Sequence, residues 1–310
     1  MRALVTGGAG FIGSHLALGL LARGHQVVVV DALTPSYDPA VKRARADAVA
    51  DAGAAFRDED LRTADLGPLV GGVDVVFHLA GQPGVRDSWG PGFAAYVEHN
   101  VAVTQRLLDA SAGAGLRRFV FASSSSVYGD AARHPTPEDT PLEPISPYGV
   151  TKASAEMLVS AYGGGAGLPA VSLRYFTVYG PGQRPDMAFH RFIRAVMEGR
   201  PLEVFGDGEQ SRDVTFVADA VEATIAAGEA EGVEGRAINV GGGSVVTLNE
   251  CLRILSRVAG REVEVIYGEP QAGDARHTSA DLRQAKELLG YAPAVSLEEG
   301  LRAEWEWLAP

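Results

Sequence analysis

Cysteine is almost missing from this 310-residue sequence, which contains one, Cys251. A single thiol cannot form an internal disulfide, so the sequence favours a reducing compartment, and we expect a cytoplasmic enzyme. Long apolar runs are also missing, since none approaches the ~20 residues that a membrane-spanning helix needs. The chain begins with MRALVTGG, which leads directly into a predicted strand and shows no signal-peptide pattern.

Basic residues are scarce relative to acidic ones, with 27 Lys and Arg against 39 Asp and Glu and a formal charge of -12. This balance disfavours nucleic acid or an anionic membrane as a partner. A small anionic ligand stays compatible with it, because a few local arginines are sufficient to bind one. No group of residues has metal-ligand spacing, so we expect no metal. His78 and His99 lie in apolar stretches and are interpreted as packed core histidines.

Apolar runs alternate with helical segments through the first half of the chain. A helix is predicted from Phe11 to Gly24. The predicted strands are apolar on both faces; they are Arg2–Thr6, Gln26–Asp31, Val73–Ala80, Arg117–Ser124 and Ala170–Phe176. Runs buried on both faces and separated by helices predict a doubly wound parallel sheet, an α/β fold of the Rossmann type.

The second half is less regular and begins at a loop rich in Gly and Pro, YGPGQRPD (Tyr179–Asp186). We predict that it contributes a smaller α/β lobe that binds the substrate. The predicted dinucleotide-binding domain covers residues 1–177, and 214–240 return to it. The substrate lobe is predicted to combine 178–213 with 241–310.

The stretch TGGAGFIG joins the first predicted strand to the first helix. Gly8, Gly10 and Gly13 give the spacing G-x-G-x-x-G, and Gly7 adds a second pattern, G-x-x-G-x-x-G. Such a turn lets the backbone approach a pyrophosphate at a helix N-terminus. Asp31 ends the next strand, where a carboxylate can bind both ribose hydroxyls and repel a 2′-phosphate. The sequence therefore favours NAD over NADP, although a tight turn beside a solvated aspartate would give the same pattern.

Tyr148 and Lys152 in YGVTK lie four residues apart, on one face of a predicted helix. Pro147 suits the first helical turn and Ser146 is a plausible cap. An ammonium group ~6 Å from a phenol, at an effective dielectric constant of ~20, contributes roughly 3 kcal/mol toward the phenolate. We therefore expect Lys152 and a positively charged nicotinamide to lower the pKa of Tyr148, which could then act as base for a sugar hydroxyl. The spacing alone is common by chance.

A serine-rich segment, ASSSSVYG (Ala122–Gly129), closes another predicted strand at the edge where ligands bind in open parallel sheets. Its hydroxyls could hold the reacting oxygen of a substrate. A simple serine-rich turn is the alternative.

The combination of TGGAGFIG, HLAG, SSSSVYG, YGVTK and RYFTVYGP resembles the extended short-chain dehydrogenases/reductases, over essentially the whole chain. Within them it resembles the NAD-dependent nucleotide-sugar epimerases and dehydratases. The resemblance implies a catalytic triad of Ser124, Tyr148 and Lys152. It implies cofactor contacts from Gly7, Gly10, Phe11, Ile12, Gly13, Asp31, Asp60, Leu61, Leu79, Ala80, Gly81, Tyr148, Lys152 and Tyr175. A homodimer, paired through helices around Tyr96–Ser111 and Tyr148–Ala161, is also implied.

The reaction can be narrowed by what stands beside Ser124. Similar dehydratases carry an Asp-Glu pair there and UDP-glucuronate decarboxylases a glutamate, whereas this chain has Ser125 and Ser126. Reversible hydride transfer remains, which favours 4-epimerisation of a UDP-sugar through a 4-keto intermediate.

Two segments, GQPGVRDSW (81–89) and RYFTVYGPGQRPDMAFHRF (174–192), resemble the UDP-glucuronate 4-epimerases. The residues expected to bind substrate are Arg86, Ser124, Ser125, Ser126, Thr177, Arg184, Arg212 and Arg276. Arg184 is expected to pair with the sugar carboxylate, helped by Thr177 and Ser126. Many relatives have arginine at the place of Gln271, so either Arg276 covers the second phosphate here or that phosphate is bound less tightly. A UDP-glucose/UDP-galactose 4-epimerase, another nucleotide-sugar oxidoreductase and a non-enzymatic NAD-sensing module are the alternatives.

Overall fold

The computed structural model describes residues 1–309 and contains three β-sheets. The strands, in chain order, are β1 (Arg2–Thr6), β2 (Gln26–Asp31), β3 (Ala55–Asp58), β4 (Val75–His78), β5 (Arg118–Ser124), β6 (Ala170–Tyr175), β7 (Thr177–Tyr179), β8 (Leu202–Phe205), β9 (Ser211–Phe216), β10 (Ala237–Val240), β11 (Val245–Thr247) and β12 (Val265–Gly268).

Helices connect most of these strands. They are α1 (Phe11–Ala22), α2 (Pro39–Asp51), α3 (Gly67–Val70), α4 (Phe93–Tyr96), α5 (Val103–Ser111), α6 (Pro147–Ala166), α7 (Ala188–Met197), α8 (Val217–Glu229), α9 (Leu248–Ala259), α10 (Arg283–Leu289) and α11 (Leu297–Leu308). A π-helical stretch, Val97–Ala102, joins α4 to α5. None of the helices in residues 1–309 has the length and apolar content needed to cross a membrane.

The largest sheet has seven strands in the order β10-β6-β5-β4-β1-β2-β3, and each neighbouring pair is parallel. Strand order reverses between β1 and β4, so the crevice outside their carboxyl ends is where such sheets bind ligands. Thr6 of β1 pairs with His78 of β4 at this edge. The predicted doubly wound α/β fold is confirmed.

Alternating residues of the central strands pack into two cores, one on each face of the sheet. On β1, Ala3 and Val5 pack with α1 and α8, whereas Leu4 packs on the opposite face with α5 and α6. Both faces are therefore covered by helices, which explains why these strands are apolar throughout.

The two smaller sheets belong to the second half of the chain and share a third core with α7, α9 and α11. One has the order β11-β9-β7, with β7 and β9 parallel; the other pairs β12 with β8. As the sequence indicated, the chain returns to the large sheet through α8 and β10. The domain limits themselves stay a prediction. Two of them, at 177/178 and 213/214, fall inside β7 and β9.

Candidate active site

The glycine turn between β1 and α1 is too tightly packed to carry side chains. A Cβ on Gly7 would lie 2.7 Å from the backbone nitrogen of Ala80, and Gly7 has a φ of +70°. A Cβ on Gly10 would lie 2.9 Å from the carbonyl oxygen of Gly7, and one on Gly13 would overlap the same atom. Gly10 caps α1 without a side-chain hydrogen bond, so the first N–H groups of the helix face outward. This arrangement suits a pyrophosphate.

Asp31 ends β2 beside this turn, with its carboxylate held by the backbone. One oxygen accepts from the N–H of Ala9 at 3.1 Å and the other from Leu33 at 2.9 Å. Leu33 has a φ of +48°, a strained conformation that closes the turn. Asp31 is half-buried and lines the cavity described below, as an adenosine ribose ligand would.

One cavity of about 420 Å³ runs from the glycine turn across the carboxyl ends of the strands. Every predicted cofactor residue lines it: Gly7, Gly10, Phe11, Ile12, Gly13, Asp31, Asp60, Leu61, Leu79, Ala80, Gly81, Tyr148, Lys152 and Tyr175. The predicted substrate residues that line it are Ser124, Ser125, Ser126, Thr177 and Arg184. The fold thus brings together the two sets of residues that the sequence assigned to neighbouring ligands.

The three predicted catalytic side chains meet where β5 ends beside α6. Ser146 caps α6 by accepting from Gly149 N at 3.1 Å, and Pro147 occupies its first turn, both as predicted. Lys152 Nζ donates to the carbonyl of Ala122, on β5, at 2.8 Å. This bond ties α6 to the strand that ends in Ser124. Ser124 Oγ accepts from Ser126 N at 3.1 Å.

The lowering of the Tyr148 pKa that we expect from Lys152 does not appear, because burial dominates. The lowering expected from a bound nicotinamide stays a prediction. Burial raises the pKa of Tyr148, and the Ser124 hydroxyl and the Arg184 guanidinium act in the opposite direction without reversing it. Burial also lowers the pKa of Lys152 to about 8. Lys152 donates to the carbonyl of Ala122 and is not among the groups that lower the pKa of Tyr148.

A buried ion pair holds α6, the helix that carries Tyr148 and Lys152. Arg174 of β6 binds Glu156 of α6, with Nε at 3.1 Å from Oε1, and both residues are less than a tenth exposed. Glu156 also accepts from Ser123 Oγ at 2.6 Å. Glu156 lies one helical turn beyond Lys152, so this pair fixes α6 against both β5 and β6.

Arg184 lies in the loop after β7, on the substrate side of the cavity. Its Nε and Nη2 bind the two carboxylate oxygens of Asp186 at 3.0 and 2.7 Å. Arg184 is mostly buried, whereas Asp186 is half exposed. The guanidinium is thus held inside the cavity by a partner that faces outward.

The other three predicted substrate arginines do not line the main cavity but lie near one another. Arg86 stacks on Phe205 at 4.4 Å from the ring centroid and pairs with Asp274, while Arg276 pairs with Asp207. Arg212 Nη1 donates to the carbonyl of Arg276 at 3.2 Å. The assignment of Arg212 and Arg276 to the nucleotide phosphates, and of Arg86 to the substrate, stays a prediction.

Sequence reasoning missed some lining residues and misjudged one. Lys42 lines the cavity, is buried, and donates to Thr34 Oγ1 at 3.0 Å. It comes from α2, which has no recognisable motif. His78 is a core histidine as predicted, bound to Thr6 and Thr104 at 2.8 and 2.9 Å. The same prediction for His99 is wrong, because this side chain is half-buried and lines the cavity.

Comparison with known proteins agrees with this geometry. A model of the NAD dependent epimerase/dehydratase family matches residues 3–241. The chain belongs to this family. A protein of Bacillus subtilis (strain 168) is 44% identical to this chain, and its name is "Uncharacterized UDP-glucose epimerase YtcB". The match covers all of this chain and 98% of that protein. The UDP-glucuronate 4-epimerase of Thermodesulfobacterium geofontis is 37% identical, over 98% of this chain and 95% of its own.

Among solved structures, the UDP-glucuronic acid 4-epimerase of Bacillus cereus, in complex with UDP-glucuronic acid and NAD, superimposes with a TM-score of 0.96. It is 42% identical, and the match covers 99% of this chain and 98% of that one. The residues of this family member fit NAD. The side-chain-free turn leaves room for a pyrophosphate. The Asp31 carboxylate lines the cavity and would accept hydrogen bonds from a ribose beside it.

We expect Gly13→Ala to weaken NAD binding because the new Cβ would overlap Gly7 O and shift the turn. Overpacking of this kind costs about 1–3 kcal/mol, or roughly a 5- to 150-fold loss of affinity. Isothermal titration of NAD into protein from which bound NAD has been removed measures the change. Gly164→Ala is the matched control, since a Cβ there meets nothing within 4 Å. Equal affinity of the two variants would contradict the assigned role of the turn.

Proposed function

We propose that this chain catalyses the reversible inversion of C4 in a UDP-sugar, with UDP-glucuronate and UDP-galacturonate as its preferred pair. One observation carries the choice of a sugar acid: the Arg184 guanidinium lies in the same cavity as Ser124 and Tyr148. A buried cation beside the catalytic hydroxyls suits a substrate that carries a carboxylate close to its reacting carbon.

Tyr148 acts on the hydroxyl at C4, taking its proton and later returning it. NAD supplies reversible acceptance of the hydride from the same carbon. Ser124 holds the reacting oxygen. The Ser124 side chain lies beside Tyr148 because β5 ends near the first turn of α6. Lys152, fixed by Ala122, is positioned to bind the nicotinamide ribose. Inversion then requires the 4-keto sugar to turn and present its other face before the proton returns.

The 4-keto form of a uronate is a β-keto acid and can lose CO₂. That loss breaks the C5–C6 bond, leaves its electron pair in a C4–C5 enolate and requires a proton at C5. It proceeds when the C5–C6 bond stands perpendicular to the carbonyl plane. Arg184, with hydroxyls from Thr177 and Ser126, would hold the carboxylate away from that orientation.

Dehydration has no support in this site. The lining residues with carboxyl groups are Asp31, Glu59 and Asp60, of which two are assigned to the adenosine end. Ser125 and Ser126, in a short 3₁₀ turn, occupy the positions beside Ser124. No carboxyl group of the described lining is available there to remove the proton at C5.

A neutral hexose is the second candidate, with UDP-glucose and UDP-galactose as the pair. The 44% identical Bacillus subtilis relative bears the name of a UDP-glucose epimerase, which favours it. Arg184 would then stay paired with Asp186 during the reaction.

The function is tested by offering UDP-glucuronate and UDP-glucose separately, with no added NAD, and following each C4 epimer by NMR. We expect UDP-galacturonate to form faster than UDP-galactose, because the carboxylate gains a charge-assisted partner. Tyr148→Phe should slow the reaction at least about 100-fold while the protein keeps its NAD, since the proton then has no carrier. A Phe variant as fast as the parent would refute the mechanism, and preference for UDP-glucose would refute the substrate.

We further expect Arg184→Ala to release more decarboxylated UDP-pentose per turnover from UDP-glucuronate, because the carboxylate is then free to turn. NMR of the product mixture gives the ratio. Arg23→Ala is a matched control, since Arg23 also pairs with a carboxylate, Glu222, but on the surface. If the Arg184 variant binds substrate less tightly and yields no extra pentose, Arg184 does not control the orientation.

A homodimer is part of the proposal. Several apolar side chains are exposed on α4, α6 and the π-helical stretch, including Phe93, Val97, Val150 and Met157, the last 60% exposed. A second copy would cover them. We expect light scattering to give twice the chain mass, and a Val150→Glu/Met157→Glu variant to be monomeric. Leu18→Glu, an exposed position on α1, is the control. A monomeric parent would contradict the dimer.

A cytoplasmic location is also part of the proposal. The single cysteine, Cys251, is buried and forms no internal disulfide, which favours a reducing compartment.

A further inference from the structure

Glu304 is a fully buried carboxyl group that none of the steps above uses. It lies on α11, its exposed fraction is 0%, and the same helix contributes Leu301 and Leu308 to the third core. One oxygen, Oε2, accepts from the N–H of Gly180 at 3.1 Å. The other, Oε1, is buried without a hydrogen-bond partner among the described residues. Burial raises the pKa of this carboxyl to about 8, so it is mostly protonated at neutral pH.

Gly180 opens the loop 180–187, which contains Arg184. It has a φ of +130°, and a Cβ on it would lie 2.8 Å from the Phe216 ring and 3.0 Å from Val217. Its peptide is therefore confined between β9 and α8 on one side and Glu304 on the other. Because the residue cannot shift toward Phe216, the bond to Glu304 sets where the loop leaves β7.

Further along, the carbonyl groups of the same loop are held from the cofactor side. His15 of α1 binds Pro181 O at 2.8 Å, and Arg45 of α2 binds Gly182 O at 2.5 Å. The loop is thus fixed at two carbonyls by the cofactor-binding half and at one N–H by the C-terminal helix. Arg184 follows four residues after Gly180, so a displacement of this backbone changes where its guanidinium lies in the cavity.

We propose that Glu304 is a positioning residue for the reaction: through Gly180 it holds the Arg184 loop in the place where the guanidinium restrains the carboxylate of the 4-keto sugar. This assignment rests on the proposed function and names the residue that enforces it. Glu304 does not line the cavity.

Stability alone gives little reason for a carboxyl group at this position. Burying a carboxyl oxygen that makes no hydrogen bond costs free energy, and an apolar side chain of similar size would pack into the same core without that cost. The same apolar side chain would leave Gly180 N–H as a buried donor without a partner, which carries a comparable cost. Because the two costs roughly offset each other, the main consequence of the carboxyl group is the place at which it holds the loop.

The test compares the parent with Glu304→Met, which keeps the volume and removes the acceptor, and Glu304→Gln, which keeps both. Each is incubated with UDP-glucuronate, and NMR gives the ratio of decarboxylated UDP-pentose to UDP-galacturonate. We expect at least about a tenfold higher ratio for Glu304→Met, since small misplacements of a binding group have effects of this size, and rescue of the parental ratio by Glu304→Gln. A structural role alone would lower the melting temperature and leave the ratio unchanged.

Four outcomes would be decisive. A folded, NAD-containing Glu304→Met variant with the parental ratio overturns the assignment, and so does a Glu304→Gln variant that behaves like Met. If Glu304→Met does not fold, Glu304→Asp moves the acceptor away by one methylene, and a parental ratio from that variant overturns it equally. If the parent does not epimerise UDP-glucuronate, the proposed function is wrong and the assignment of Glu304 is wrong with it. If the parent does epimerise it and the Glu304 variants give the parental ratio, only the assignment is wrong.

Discussion

The ion pair between Arg174 and Glu156 constrains the elements on which the site depends. It lies behind the carboxyl end of β5 and joins β6 to α6, and Ser123 donates to the same carboxylate. Two charges out of contact with water tolerate little separation, because each would lose its main compensation for lost hydration. Their contact therefore fixes the register of α6, and with it Tyr148 and Lys152, against the strand that ends in Ser124. Such a pair adds little net stability, but it specifies one arrangement.

The two ends of the cavity are held by different means. At the dinucleotide end, glycine backbone packs on backbone: Gly7 faces Ala80, and Gly13 faces Gly7, so that end is fixed by steric contact. At the sugar end, the loop 180–187 is fixed by single hydrogen bonds. His15 and Arg45 bind its carbonyl groups, and Glu304 accepts from its first N–H. Steric contact permits one conformation, whereas hydrogen bonds to a loop permit small movements. The difference suits a cofactor that stays in place and a sugar that must turn.

The sequence predicted those parts of the site that depend on local chemistry. The glycine turn, the Ser146 cap and the placement of Tyr148 and Lys152 on one helix face need a few adjacent residues, and the structure contains all three. The edge strand β3 was missed because AFRD is short and mostly exposed. Lys42 and Glu304 were missed because their roles arise from tertiary contacts. The pKa of Tyr148 was misjudged for a related reason: spacing gives the distance to a charge but not the extent of burial, and burial was the larger effect.

The preference for an acidic or a neutral sugar depends on two opposing free energies at Arg184: the gain from binding a substrate carboxylate and the loss of the existing pair with Asp186. Its guanidinium already holds Asp186 by two hydrogen bonds. A uronate must share or displace that partner, so the gain from its carboxylate is reduced by the pair it replaces. A neutral sugar leaves the pair intact and forfeits only the gain. Discrimination is then moderate, and relatives named for UDP-glucose and for UDP-glucuronate both match this chain over nearly its whole length. In the proposed mechanism, the stronger demand on Arg184 comes after oxidation, when a loosely held carboxylate would be lost as CO₂.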